Sequence, residues 1–139
     1  MSKSHSFANR GFHLIELLIV MSLIALLTTI SAPIYSHFML QAHRLEASLA
    51  LQKASLSLEY YYQEHGTYVG ANLTTLHIPT DLAKHQYEIR LEQATSLDFL
   101  LIAEPLDKQT ADVACGALTL NALGIKNIRG NGNAFECWG

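Results

Sequence analysis

An unbroken apolar segment that follows a single carboxylate is the feature that most constrains this chain. Leu17–Ile34 contains eighteen uncharged, mostly apolar residues, and Glu16 lies immediately before it. At about 1.5 Å per residue, a helix of that length can cross a bilayer. An unpaired carboxylate at the membrane-buried end of such a helix costs about 2.5–3.5 kcal/mol on insertion scales. The segment therefore predicts a transmembrane helix whose glutamate has a partner.

The residues before the apolar segment differ from those of an ordinary secretory signal. A basic start is present in Lys3 and Arg10, but no cleavage site of small residues follows the apolar segment. Gly11 instead precedes Phe12, on the N-terminal side of that segment. Cleavage between them would remove the leader, retain the helix and create an amine four residues from Glu16. Residues at that spacing share one face of a helix.

This junction resembles the prepilin cleavage motif of type IV pilins and of type II secretion pseudopilins, and the resemblance is carried by residues 11–17, which read GFHLIEL. It implies that a membrane aspartyl peptidase cleaves after Gly11 and methylates the new amine of Phe12. It also implies that Glu16 pairs with the N-terminal amine of a neighbouring subunit during assembly. His13 departs from the family, which usually has threonine there. A generic signal anchor is the alternative interpretation of these residues.

The basic residues predict the orientation of the chain in the membrane. Lys3 and Arg10 precede the apolar segment, and the next basic residue is Arg44. The positive-inside rule then places the N-terminus in the cytoplasm and the residues after about 36 outside. Because that compartment permits disulfides, Cys115 and Cys137, the only two cysteines, are expected to be bonded. A metal site is the alternative, but the sequence has no CxxC spacing and no paired histidine motif to complete one.

At 139 residues the chain has room for one folded domain. We expect a cleaved leader (1–11), a hydrophobic membrane and assembly helix (12–35) and a globular domain (36–139). The globular domain would include the second half of the helix and the C-terminal disulfide loop. Pro33 falls inside the helical pattern and predicts a kink, because proline removes one backbone donor.

Beyond Phe38 the helical pattern has two apolar stripes on nearly opposite faces. A helix that rests on a single sheet needs only one such stripe, so the second predicts contacts with other subunits. The first stripe consists of Phe38, Ala42, Leu45, Leu49, Leu56 and Tyr60, and the second of Leu40, Ala47, Leu51, Ala54, Leu58 and Tyr61.

The helix is predicted to run from Phe12 to about Glu64 and to end at His65-Gly66, where glycine suits a left-handed cap. Residues 67–86 are typical of an irregular connection. Strands are predicted at Tyr87–Leu91 and Leu97–Ala103, followed by a hairpin of Ala117–Leu120 and Ile125–Ile128. The fold class is α+β, a long N-terminal helix packed on a small antiparallel sheet, which is also the pilin fold.

The C-terminal half resembles the PilE-like group of type IVa minor pilins, through residues 61–68 (YYQEHGTY), 115–120 (CGALTL), 124–126 (GIK) and Cys137-Trp138. A competence receptor for DNA belongs to the same broad group, so the resemblance does not separate a scaffold from a DNA binder. Lys126 and Arg129 are the candidate DNA contacts. The charge of the chain argues against DNA binding at these residues. Removal of the leader's two cations shifts the net charge from −3 to −5, and contacts with phosphate need cations. The position of the tyrosines at the end of the helix indicates that they pack within the protein or at an interface and do not stack on DNA bases.

No phosphate loop, nucleophile elbow or HExxH motif is present in the sequence, and the seven histidines are scattered, so we expect no enzyme, cofactor or metal. The resemblance implies a type IV pilus subunit, more specifically a minor pilin. Its expected partners are other pilin subunits, the prepilin peptidase and methyltransferase, and the inner-membrane assembly platform. DNA is a further partner under the DNA-binding alternative. The protein would reside in the inner membrane before assembly and in the extracellular pilus afterwards. The alternatives are a DNA-binding competence receptor and a type II secretion pseudopilin. The cysteine pair argues against the latter, because the main pseudopilins usually stabilise that region with calcium.

Overall fold

A long helix opens the described part of the chain, since the computed structural model describes residues 12–139. Helix α1 runs Leu14–His65 and comprises 52 residues. Its predicted end is confirmed to within one residue. Gly66 follows at φ +68°, a conformation that glycine adopts without strain, and its N–H donates to the Tyr62 carbonyl at 2.7 Å. The leader 1–11 and its cleavage position at Gly11 lie outside the described residues.

The chain separates into two compact units, one that ends at His37 and one of Phe38–Gly139. In the first unit the large apolar side chains of α1 are exposed, from Leu14 at 79% to Tyr35 at 67%. α1 contains an 18-residue window near the N-terminus with mean hydropathy 2.3, none of it buried within the protein. By length and composition this window can cross a membrane. Pro33 lies inside the helix, and the kink predicted there stays a prediction.

The globular unit contains one antiparallel sheet. Its strands are β1 (Asp81–Leu82), β2 (Tyr87–Ala94), β3 (Phe99–Pro105), β4 (Leu118–Asn121) and β5 (Lys126–Ile128). They lie in the order β1-β2-β3-β4-β5, so that each strand pairs with its neighbour in sequence. A 3₁₀-helix (Asp107–Ala111) separates β3 from β4, and a short helix α2 (Ala134–Trp138) follows β5. The predicted α+β class with a small antiparallel sheet is confirmed.

The boundaries differ from prediction where pairing or a turn overrides the local pattern. β1 lies within the segment that was expected to be irregular, and it exists through its pairing of Leu82 with Tyr87. β3 begins at Phe99 rather than Leu97 because the Thr95 N–H donates to the Asp98 carbonyl at 2.8 Å, which makes the preceding residues a turn. Helix α2 was not predicted, since five residues are too few to show helical periodicity.

In the globular unit, one apolar face of α1 is buried and the opposite apolar face is exposed. Ala47, Leu51, Ala54 and Leu58 are fully buried and join one core cluster with the inward side chains of β2, β3 and β4. The opposite stripe is exposed. The prediction that one stripe serves the domain's own core is therefore confirmed, and the other stripe has no cover among the described residues.

Candidate functional site

Five large apolar residues of α1 form the exposed stripe of the globular unit, and we call them the outer stripe: Phe38, Leu45, Leu49, Leu56 and Tyr60. Each is 56–62% exposed. Their spacings of seven and four residues keep them along one side of the helix. Single exposed apolar residues are ordinary on protein surfaces, whereas a contiguous patch marks an interaction surface.

Glu16 lies in the first turn of α1, where its own N–H donates to the His13 carbonyl at 3.0 Å. Both Phe12 and Glu16 are exposed. Within residues 12–139, no cationic side chain lies within ion-pair distance of Glu16. The partner that the sequence predicts for this carboxylate is therefore not supplied by the described part of the same chain.

The predicted disulfide is present between Cys115 and Cys137, whose Cα atoms lie 5.5 Å apart. The bond joins the residues before β4 to helix α2, and both cysteines are buried. Within the closed segment, the backbone at Gly130 passes so close to Ala114 that a Cβ there would lie 2.2 Å from the Ala114 carbonyl oxygen. Only glycine permits this approach, so the bond and the glycine together fix the path of the segment.

A buried polar cluster connects α1 with the 3₁₀-helix. Gln109 is fully buried, and its Nε2 lies 3.2 Å from the Leu40 carbonyl, 3.2 Å from the Tyr87 hydroxyl and 3.3 Å from Asp112 Oδ2. Its Oε1 lies 3.1 Å from His43 Nδ1, which donates when that nitrogen carries the proton. Gln109 therefore satisfies polar groups from α1, β2 and the segment before the disulfide.

Arg44 extends this cluster to the disulfide. Its Nε lies 3.2 Å from Asp112 Oδ2, with the two side chains only 13% and 10% exposed. The Nε–H is not aligned for a hydrogen bond, so the contact is an ion pair. The Nη1 group donates to Cys115 Sγ. These contacts tie α1 to the segment that leads into the disulfide.

Tyr87 gives this cluster a measurable pH dependence. Burial raises the pKa of Tyr87 to about 12, and the Gln109 hydrogen bond offsets part of the effect. Because the folded state holds the phenolic proton more tightly than the unfolded chain, this stabilisation is complete below pH 10 and is lost as the pH rises through about 12. We expect the free energy of unfolding to fall over that interval, by about 3 kcal/mol at the limit. Tyr87→Phe should show a shallower decline in denaturant unfolding measured from pH 9 to 12.

Burial and its hydrogen bond to Glu59 also raise the pKa of Tyr68 well above its usual range. Tyr68→Phe should therefore also make the decline shallower, by the contribution of Tyr68. Comparing the two variants separates the contributions of the two tyrosines. Identical slopes for wild type and Tyr87→Phe would show that Tyr87 does not titrate in this interval.

Lys126 and Arg129, the predicted DNA contacts, are engaged in different contacts. Arg129 Nη2 lies 2.5 Å from Glu92 Oε2, and this hydrogen bond raises the pKa of the guanidinium. Lys126 Nζ lies 5.2 Å from the centroid of the Trp138 ring, a cation–π arrangement. The Trp138 Nε1–H donates to the Asn127 carbonyl at 2.9 Å, which holds the indole beside β5. The charge of Arg129 is thus already paired with a carboxylate.

Two lysines that the sequence analysis did not single out lie at one end of the sheet. Lys84 is in the turn between β1 and β2, and Lys108 is in the 3₁₀-helix after β3. The two turns are joined where the Leu106 N–H donates to the Gln86 carbonyl at 2.8 Å. Across the described chain, neither lysine has a carboxylate within ion-pair distance. No local sequence signal indicates that the two lysines lie at the same end of the sheet, because 24 residues separate them in sequence.

Comparison with protein families decides what kind of molecule carries these features. The family described as type IV minor pilin ComP, DNA uptake sequence receptor, matches residues 33–119, more than half of the chain. The chain belongs to this family. The resemblance to type IV minor pilins inferred from the sequence is therefore confirmed.

Individual proteins similar to this minor pilin include a fimbrial protein and two pilins of known structure. A fimbrial protein of Neisseria meningitidis serogroup B is 33% identical over 63 residues, which are 45% of this chain and 37% of that protein. The chain thus matches little more than a third of the length of that relative. The Neisseria meningitidis non-core minor pilin PilV superposes over 71% of this chain and 95% of PilV, with a TM-score of 0.57 and 21% identity, which shows a shared fold. The superposition on a type IV pilin from Shewanella oneidensis includes 63% of this chain and 89% of that pilin, with a TM-score of 0.46 and 23% identity.

Of the four tyrosines in the cluster at the end of α1, Tyr60, Tyr61, Tyr62 and Tyr68, most pack, as predicted. Tyr62 stacks on Tyr68 with ring centroids 4.7 Å apart, and Tyr68 meets a core phenylalanine edge-on. Tyr61 stacks on His65 at 4.1 Å. Tyr60 is the exception, because it is exposed and belongs to the outer stripe.

Proposed function

We propose that this chain is a minor structural subunit of a type IV pilus. A prepilin peptidase cleaves it after Gly11 and the new amine of Phe12 is methylated. The N-terminal part of α1 holds it in the inner membrane, with the N-terminus cytoplasmic and the globular unit periplasmic. The inner-membrane assembly platform then transfers it into an extracellular filament, where its α1 packs against the helices of other pilin subunits.

The exposed apolar surface of α1 carries this proposal. Both units present it, as the unburied hydrophobic window in the first and as the outer stripe in the second. Full burial of one large apolar side chain away from water contributes about 1.5–3 kcal/mol, so covering the outer stripe provides a large driving force for helix association. The hydrophobic window is already in an apolar environment while it lies in the membrane, so its association with other helices depends on side-chain packing. Membership of the type IV minor pilin family favours a pilus over the pseudopilus alternative.

Leu49 offers a direct test of the outer stripe. We expect Leu49→Glu to reduce recovery of the protein in sheared filaments by about tenfold or more, because assembly would bury an unpaired carboxylate. Its melting temperature should stay near that of wild type, because Leu49 is 58% exposed and surface substitutions usually change stability by less than about 0.5 kcal/mol. Filament fractions and thermal melts of the detergent-solubilised chain provide the two readouts.

Leu51, two residues further along α1, is the matched control because it is fully buried. Leu51→Ala should lower the free energy of unfolding by about 2–5 kcal/mol, and any loss from filaments should follow its lower abundance. Filament recovery of Leu49→Glu equal to that of wild type would exclude the outer stripe as an assembly surface.

The description of the family as a DNA uptake sequence receptor favours a second function, binding of duplex DNA by the globular unit. Phosphate contacts supply most of the sequence-independent affinity for DNA, so an acidic chain needs a local set of available cations. Lys84 and Lys108 meet this requirement better than Arg129, which is paired with Glu92. The carboxylate nearest in sequence to Lys84 is Asp81, which contacts His85 Nδ1 at 2.7 Å instead. The carboxylate nearest in sequence to Lys108 is Asp107, which is not within ion-pair distance of it.

Two double variants of equal charge change compare the candidate patches. We expect the full chain in detergent to retard a DNA duplex at low salt, and Lys84→Ala/Lys108→Ala to reduce the slope of log K against log salt by about 1.8. Lys126→Ala/Arg129→Ala should reduce it less, because Arg129 already has a carboxylate partner. Electrophoretic titrations from low to physiological salt measure both slopes.

The reverse ranking would place the contact at Lys126 and Arg129. Absence of retardation by wild type at the lowest salt would exclude DNA binding by this chain and would leave the subunit function unaffected.

A further inference from the structure

The turn that presents Lys84 has an unusual backbone. Three consecutive non-glycine residues, Ala83, Lys84 and His85, have φ values of +51°, +55° and +67°. Side chains disfavour this left-handed region, so such residues persist only where surrounding contacts hold them. The direction in which Lys84 leaves the sheet therefore depends on what fixes this turn.

Contacts at its two ends hold the turn. At the strand ends, Leu82 pairs with Tyr87 and the Gln86 N–H donates to the Leu82 carbonyl at 3.1 Å. At its start, the Ala83 N–H donates to Glu46 Oε1 on α1 at 3.0 Å. Ala83 is only 6% exposed, so without Glu46 this N–H would lose a hydrogen bond in a buried position.

Glu46 is 37 residues from Ala83 in sequence and lies on a different element. Its carboxylate accepts from a neutral backbone amide, and no cationic side chain of residues 12–139 forms an ion pair with it. We propose that Glu46 is a positioning residue that holds the 83–85 turn so that Lys84 can contact DNA phosphate. This inference rests on the DNA-binding function proposed above.

The sign of the effect separates positioning from charge. Loss of a carboxylate makes the protein less negative, which by itself strengthens binding to a polyanion. A positioning role predicts the opposite when the acceptor is also lost. Glu46→Gln removes the charge and keeps an acceptor oxygen, whereas Glu46→Ala removes both. The two variants have the same net charge and differ at the Ala83 N–H.

We expect Glu46→Gln to bind duplex DNA as tightly as wild type or more tightly. Glu46→Ala should bind about threefold to fivefold more weakly than Glu46→Gln, with a salt slope reduced by up to about 0.9, the value for one phosphate contact. In a Lys84→Ala background the two Glu46 variants should bind equally, because the side chain being positioned is absent. Titrations use the full chain in detergent.

Hydrogen exchange gives a readout that does not involve DNA. Amides of residues 83–86 should exchange faster in Glu46→Ala than in Glu46→Gln, with exchange in the core strands unchanged. Equal DNA affinity of the two variants, despite faster exchange in Glu46→Ala, would overturn the positioning role and leave DNA binding intact. A persisting difference in the Lys84→Ala background would also overturn it. Failure of wild type to bind DNA would instead overturn the DNA-binding function and this role with it.

Discussion

Replacement of Glu16 by alanine is expected to abolish incorporation into filaments while leader removal continues. Within the described chain, Glu16 has no cationic partner, and it lies in the first turn of a helix whose large apolar side chains are exposed from Leu14 to Tyr35. A buried carboxylate in that position costs about 2.5–3.5 kcal/mol, which a neighbouring subunit's methylated Phe12 amine would offset. At a separation of about 4 Å and an effective dielectric constant of about 20, the attraction is about 4 kcal/mol. Since that attraction requires one axial position of the neighbour, its loss removes both affinity and register.

Mass measurement of the N-terminus together with filament pull-down tests this expectation. Glu16→Gln preserves the side-chain volume without the charge and should fail as Glu16→Ala does. Gly11→Ser is the contrasting variant, because it should leave the precursor uncleaved and therefore present no free amine at Phe12. Efficient incorporation of cleaved Glu16→Ala would show that the charge pair does not drive assembly.

Loss of the Cys115–Cys137 bond is expected to destabilise the globular unit strongly. The bond closes a sequence separation of 22 residues, for which loop-closure entropy predicts a contribution of about 3 kcal/mol. The closed segment includes Gly116, Gly124, Gly130 and Gly132, which give the unfolded chain much conformational freedom to lose. For a unit of this size, the melting temperature of Cys137→Ser should fall by roughly 12 °C or more.

Thermal melts with and without a reducing agent separate the bond from the substitution. Wild type under reducing conditions should melt near the variant, and the reducing agent should leave Cys115→Ser/Cys137→Ser unchanged. The double variant also removes the free thiol that a single substitution would create. A wild-type melt insensitive to complete reduction, verified by thiol labelling, would contradict the expected contribution.

Several features of this minor pilin were determined by its sequence because their signals are local. The apolar run after Glu16 predicts a helix long and apolar enough to cross a membrane, and Gly66 terminates α1 through its own backbone freedom. The two stripes follow from the 3.6-residue period, which separates Leu49 from Leu51 before any contact is known. The disulfide followed from two cysteines in a chain whose charges predict export.

Pairings between distant residues were decided only by the tertiary structure. Arg129, a candidate DNA contact by sequence, meets Glu92 across the sheet, and Glu46 meets the Ala83 amide from α1. Each of these contacts spans 37 residues. Periodicity and composition report which side of an element is apolar, but not which polar groups of another element lie opposite it. That depends on strand register and on the packing of α1 over the sheet, and these arise only when the whole core is buried at once.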